Sequence, residues 1–167
     1  PFFRYLLMRV PFIVDPLSHA RMYTDGHRVG YSEKFVEGES VEVLAGTSCH
    51  EILHIALDHI TRILALPVPV VPNIVPAEQR ERLGWQLRME KGGRAADESI
   101  NWMIKECGMV LPTDHIDTPV YHGMALEQIY RLMGDPKVVV VGGQYSVEHT
   151  CLGEFRPGSW QAAPAEE

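Results

Sequence analysis

The residues of this chain that carry a recognisable chemistry are His50, Glu51 and His54, an H-E-x-x-H spacing inside SCHEILHIALDH. On an α-helix, positions i and i+4 lie about 40° apart around the axis and about 6 Å apart along it, so two imidazoles so spaced can converge on one ion. Zinc in catalytic sites takes three protein ligands and keeps a fourth position for water, whose pKa falls to about 7. Glu51 is placed to take a proton from that water and pass it to a leaving amine. A single helical turn thus offers two metal ligands, His50 and His54, and a general base, Glu51, for zinc-dependent hydrolysis. Two histidines on the inner side of an apolar helix need partners, which favours this reading over two polar residues that merely decorate the helix.

A third ligand is required. His59 stands nine residues after His50, about 180° around a continuous helix, and is expected outside the ligand set, either external or supporting a ligand from behind. Asp58 shares the ligand face, but positions i, i+4 and i+8 span about 12 Å, too far for one tetrahedral ion. Asp97 is the better candidate. It lies at the edge of an apolar arc formed by Ala96, Ile100, Met103, Ile104 and Cys107, where a helix packed on the histidine helix would present a carboxylate. Asn101, one turn later, could orient a ligating histidine or Asp97 itself. Spacing leaves a second reading open, in which Asp97 is a charge favoured by the dipole near a helix start. Hydrolysis also needs a donor for the oxyanion, and Tyr121, His122 and His115 are the candidates, each with an ordinary loop hydrogen bond as the plainer role. His149 and Cys151 could supply soft ligands from the tail, against the simpler reading of unengaged tail residues.

These residues need elements to hold them. From Ser40 to about Leu66 apolar residues recur at helical spacing for about seven turns, with Ser40 as N-cap and Pro67 beyond the end; Gly46 could set off the first turns. Two further helices are expected, Ala77 to Glu90 and Arg94 to Cys107, separated by Gly92-Gly93, the latter capped by Gly108. Asp25-Gly26 between Met22-Tyr23 and Val29-Tyr31 reads as a β-hairpin whose edge could receive an extended peptide. Residues 2 to 9 suit a short helix or strand, 125 to 133 a short helix, and 137 to 141 a strand. The four prolines between Ile63 and Pro76 make that apolar run an extended connector rather than a membrane helix.

The whole chain has 167 residues, with 15 Lys plus Arg against 22 Asp plus Glu and a formal charge of -7. That length suits one domain, read as 1–158, with an acidic fraying tail at 159–167. The acidic balance provides no basic footprint for nucleic acid, and no segment reads as a membrane anchor. Cys49, Cys107 and Cys151 are too scattered for a disulfide framework, so a reducing compartment, the cytoplasm, is expected.

PFF near the start, then MYTDGHRVGYSEKFV, SCHEILHIALDHITR, RAADESIN and YHGMALEQIYRLM resemble, in that order over roughly residues 1 to 133, the putative metallopeptidase domain of bacterial and phage proteins, which often precedes a von Willebrand A-like domain. The resemblance implies a zincin-like α+β fold, mainly helical, with a small mixed or antiparallel sheet beside the H-E-x-x-H helix. It implies His50 and His54 as zinc ligands, Glu51 as base, and Asp97 as the acidic position of the family pattern N-x-A-x-D-x-x-I-N. The chain departs from that pattern in having Gly93 at its first position, and no von Willebrand A-like domain follows residue 167. A stand-alone version, phage-encoded or bacterial, is therefore expected, acting on a peptide or protein substrate, with a separate partner protein or a homo-oligomer in place of the fused domain. The competing class is a non-catalytic zinc-binding interaction module, in which the ion only pins helices together. The carboxylate of Glu51 argues for the enzyme, because a structural site has no use for it there.

Overall fold

A computed structural model describes residues 2–16 and 21–148. The proposed tail contacts of His149 and Cys151 lie outside the described residues. After a short helix, α1 (Phe2–Leu7), strand β1 (Phe12–Val14) leads to the expected hairpin of β2 (Met22–Thr24) and β3 (Val29–Tyr31). The Asp25 carboxylate accepts from the backbone N–H groups of His27 and Arg28, and Gly26 takes φ +90°, so the turn is built from the residues that signal it. β1 pairs with β3 in parallel while β2 pairs with it antiparallel, giving a mixed sheet of order β1-β3-β2.

Ser32 caps α2 (Glu33–Gly38) and Ser40 caps α3 (Val41–Ala56), each hydroxyl accepting from a backbone N–H three residues on. Gly46 does not divide α3. A Cβ there would sit 1.9 Å from the carbonyl oxygen of Val110, so the glycine marks where the loop after the long helix crosses α3. The helix does end earlier than its periodicity suggests. Asp58 adopts the left-handed conformation, φ 50° and ψ 42°, and α4 (His59–Leu64) sets off afresh. Aspartate is one of the few side chains that tolerate this region, and the apolar spacing runs through the break without registering it.

The opposite correction applies further on. α5 runs unbroken from Ala77 to Glu106, thirty residues, through Gly92 and Gly93. A Cβ at Gly92 would lie 2.5 Å from Cγ2 of Ile63, so the glycine lets α4 approach α5 closely rather than ending a helix. Gly108 at φ +75° closes α5 as expected, its N–H donating to the Lys105 carbonyl.

The connector between α4 and α5 is not helical and is anchored along its length. Tyr130 and Tyr145 donate to the carbonyls of Pro67 and Ile74, and Val75 is buried with Leu83, Leu87 and Val147. α6 (Leu126–Leu132) begins where the Gln128 side chain accepts from the Ala125 N–H. The expected strand is β4 (Val138–Val141), and Gly142-Gly143 return the chain into β5 (Gln144–Val147) as a two-stranded antiparallel sheet. The described residues thus form a mixed α/β fold of six α-helices and two small sheets. α5 is its spine, packing on α3, α4, α6 and β5, while β2 lies against α3. Among the described residues no helix is long and apolar enough to cross a membrane.

Candidate metal centre

α3 turns His50 and His54 toward the middle of α5, where Asp97 waits. Asp97 is twenty residues into its helix, so the helix-start reading of its charge falls away. The Nε2 atoms of the two histidines are 2.9 Å apart, and Oδ1 of Asp97 lies 3.5 Å from that of His50 and 3.2 Å from that of His54. All three side chains are nearly or fully withdrawn from solvent. Oδ1 of Asp97 nonetheless forms no hydrogen bond of good geometry. A buried carboxylate oxygen without such a bond, facing two imidazole nitrogens at the apex of a three-ligand set within 4.8 Å, is an arrangement that fits a divalent cation.

The outer nitrogens of both rings are engaged. His50 Nδ1 is 2.8 Å from Oδ1 of Asn101, whose own Nδ2 donates to the carbonyl of Ile116 at 2.8 Å. That second bond fixes the amide with its oxygen toward His50, so His50 donates through Nδ1 and turns Nε2 inward. His54 Nδ1 is 3.0 Å from Nδ1 of His59, the first residue of α4. The break at Asp58 is what brings His59 there; it is buried at 1% exposure and sits on His54, not on the outside of a continuous helix.

Charge is unevenly shared. Burial alone would push His50 down, but the Asp97 carboxylate, with Glu51 and Asn101 adding to it, carries its pKa up to about 9. Burial also works against the ionisation of Asp97, yet the two imidazoles hold its carboxyl well below the usual carboxylate range. Burial and the nearby His50 lower His54, and burial above all brings His59 down to about 2, so His59 is neutral at every ordinary pH.

A cleft opens beside this cluster between α3, α5, the start of β2 and the loop after α5. His50, Glu51 and Thr47 line it from α3, Asp97 and Asn101 from α5, Met22 from β2, and Leu111, Pro112, His115 and Ile116 from the loop after α5. Of the three candidate oxyanion donors, then, His115 faces the cleft, whereas Tyr121 and His122 are not among its lining residues. Tyr121 packs at the rim of the cluster around Ile63 and Ile129, and His122 stacks on Trp102 and bonds Asp117. His115 Nδ1 is 2.7 Å from the Pro112 carbonyl, to which it donates.

Two features of the cleft had no sequence signal of their own. Arg21 and Asp114, 93 residues apart and both lining it, form a two-pronged ion pair at 2.5 and 2.7 Å. Glu98, buried at 1% exposure, accepts from the N–H and hydroxyl of Thr118 and pins the loop that carries His115. Glu98 sits beside Asp97 in AADESIN, and nothing in that mixed run separates it from an ordinary helix charge.

Fold and site together define a helix-borne His-His-Asp group with a glutamate in the same cleft. The chain belongs to the family described as "Putative metallopeptidase domain", whose model matches residues 1–161. No curated protein and no solved structure matches it.

Proposed function

We propose that this protein is a zinc-dependent metallopeptidase of zincin-like build, in which His50, His54 and Asp97 hold the ion and Glu51 is the general base. The observation that carries the reading is the convergence of two Nε2 atoms and the orphaned Asp97 oxygen beside a cleft lined by Glu51. A bound zinc would supply Lewis acidity there, polarising a scissile carbonyl and making water a competent nucleophile near neutral pH. Glu51, only 7% exposed, takes the proton from the attacking water and returns it to the leaving amine. Asn101 keeps the His50 ring oriented. His115, lining the cleft from the loop after α5, is the candidate donor to the oxyanion. β2 is the edge of its sheet on the α3 side, and a substrate peptide pairing there would run past Arg21 and Met22 into the cleft. That edge beside the H-E-x-x-H helix is the support for the zincin-like assignment.

The test combines metal analysis of the purified protein with cleavage of a peptide library by wild type and Glu51→Gln. One zinc per chain in both, with cleavage by the wild type reduced at least about 10³-fold in the variant, is the expected result. Undiminished cleavage by Glu51→Gln would sink the mechanism. Zinc without cleavage in either protein would favour the interaction module.

A further inference from the structure

The environment of His54 assigns a task to His59. His54 faces a ring nitrogen on each side: Nε2 of His50 at 2.9 Å and Nδ1 of His59 at 3.0 Å. Each nitrogen pair needs one proton between its lone pairs. A neutral His54 has a single proton, so it donates through one nitrogen and accepts through the other. If the proton were on Nε2, the lone pair would point at His59 and none would be left for a cation beside Asp97. With the proton on Nδ1, His54 donates to His59, and Nε2 presents its lone pair to the Asp97 side.

We propose that His59 is the positioning residue that locks His54 in the tautomer able to bind metal, and that the left-handed break at Asp58 serves to deliver it. This rests on the metal reading of the site. A non-glycine residue in the left-handed region stores strain that the surrounding structure must hold, and such strain concentrates at functional sites. Here it redirects the chain at one residue, so that the next side chain lands on the outer nitrogen of His54. His59 suits the task because it is buried and its Nδ1 lies against the outer nitrogen of His54, where the tautomer protonated at Nε2 would offer a lone pair. Asn101 does the same for His50 through an amide oxygen. Both candidate ligands are thus oriented by uncharged acceptors, where a carboxylate is the more usual partner.

The test uses ¹⁵N-histidine-labelled full chain, with His59→Leu to remove the acceptor and His59→Gln to restore one in amide form. In the metal-free wild type, long-range ¹H–¹⁵N spectra should show His54 protonated at Nδ1. Competition with a chromophoric chelator should show zinc affinity falling roughly 10- to 100-fold in His59→Leu, with partial recovery in His59→Gln. Circular dichroism of both variants identifies any that fail to fold, and the wild-type tautomer measurement stands without them. An Nε2-protonated His54, or a folded His59→Leu that binds zinc as tightly as wild type, overturns the proposal. A wild type that binds no zinc overturns the metal reading and this inference with it, whereas tight wild-type binding left unchanged by His59→Leu overturns the inference alone.

Discussion

At the scale of single residues, the centre is governed by proton bookkeeping. With its pKa raised from an ordinary 6.5 to about 9, His50 enters metal binding as an imidazolium at neutral pH. Its attraction to Asp97 stabilises the metal-free fold fully below about pH 6.5 and is lost as pH rises through about 9. A cation at Nε2 must displace that proton. Zinc titrations at pH 7.5 in two buffers of different ionisation enthalpy should therefore report release of about one proton per ion bound. Zero release would mean that His50 is already neutral. His50, Glu51 and His54 were legible because H-E-x-x-H places them by helix geometry alone, whereas spacing left two readings open for Asp97. The reach of His59 was not legible, since one backbone conformation at Asp58 decides it and no periodicity records a single φ angle.

At the scale of elements, two glycines that read as interruptions are contact points, for a reason that separates them from helix breakers. Glycine costs about 1 kcal/mol in a helix interior, which packing on a neighbour readily offsets. The two contacts differ in what they would meet. A methyl at Gly92 meets the branched stem of the buried Ile63, Cγ2 at 2.5 Å with Cγ1 at 3.0 Å and Cβ at 3.2 Å, so α4 must move back from α5 and Gly92→Ala should cost about 1–3 kcal/mol in urea unfolding. At Gly46 the obstacle is the backbone carbonyl of Val110, at 1.9 Å, which cannot rotate away. Gly46→Ala should be the more damaging of the two and should also disturb the loop that forms one wall of the cleft. Equal destabilisation in the two variants would contradict this account. The β2-β3 hairpin, the Ser40 cap and the Gly108 stop were all readable, because each is encoded by the residue that performs it, whereas β4 was read as a strand without its partner β5.

At the scale of the whole molecule, α4 and α6 are tied by the fork of Arg62 on Glu127, 65 residues away in sequence. The Arg62 hydrogen bond holds the Glu127 carboxyl down at about 2, from an ordinary 4.5. A depressed folded value means that the stabilisation is complete above about pH 4.5 and is lost as pH falls toward 2. Both side chains are about a third exposed, so the contribution is modest and screened. Arg62→Met should accordingly lower Tm at pH 6 slightly and flatten its fall between pH 4.5 and 2; an acid limb as steep as that of wild type would argue against the pair. Long-range ties of this kind, like Arg21 with Asp114, leave no mark on local sequence, because either partner alone is an ordinary surface charge.

The thirty-residue span of α5 separates two duties along one rod. Its N-terminal part anchors the connector and the β4-β5 hairpin through Leu83 and Leu87, while Asp97 and Asn101 stand roughly 15–27 Å further along the axis. The hairpin end is therefore insulated from the chemistry. A label placed beside the Gly142-Gly143 turn, with both positive-φ glycines kept, should leave the centre unchanged.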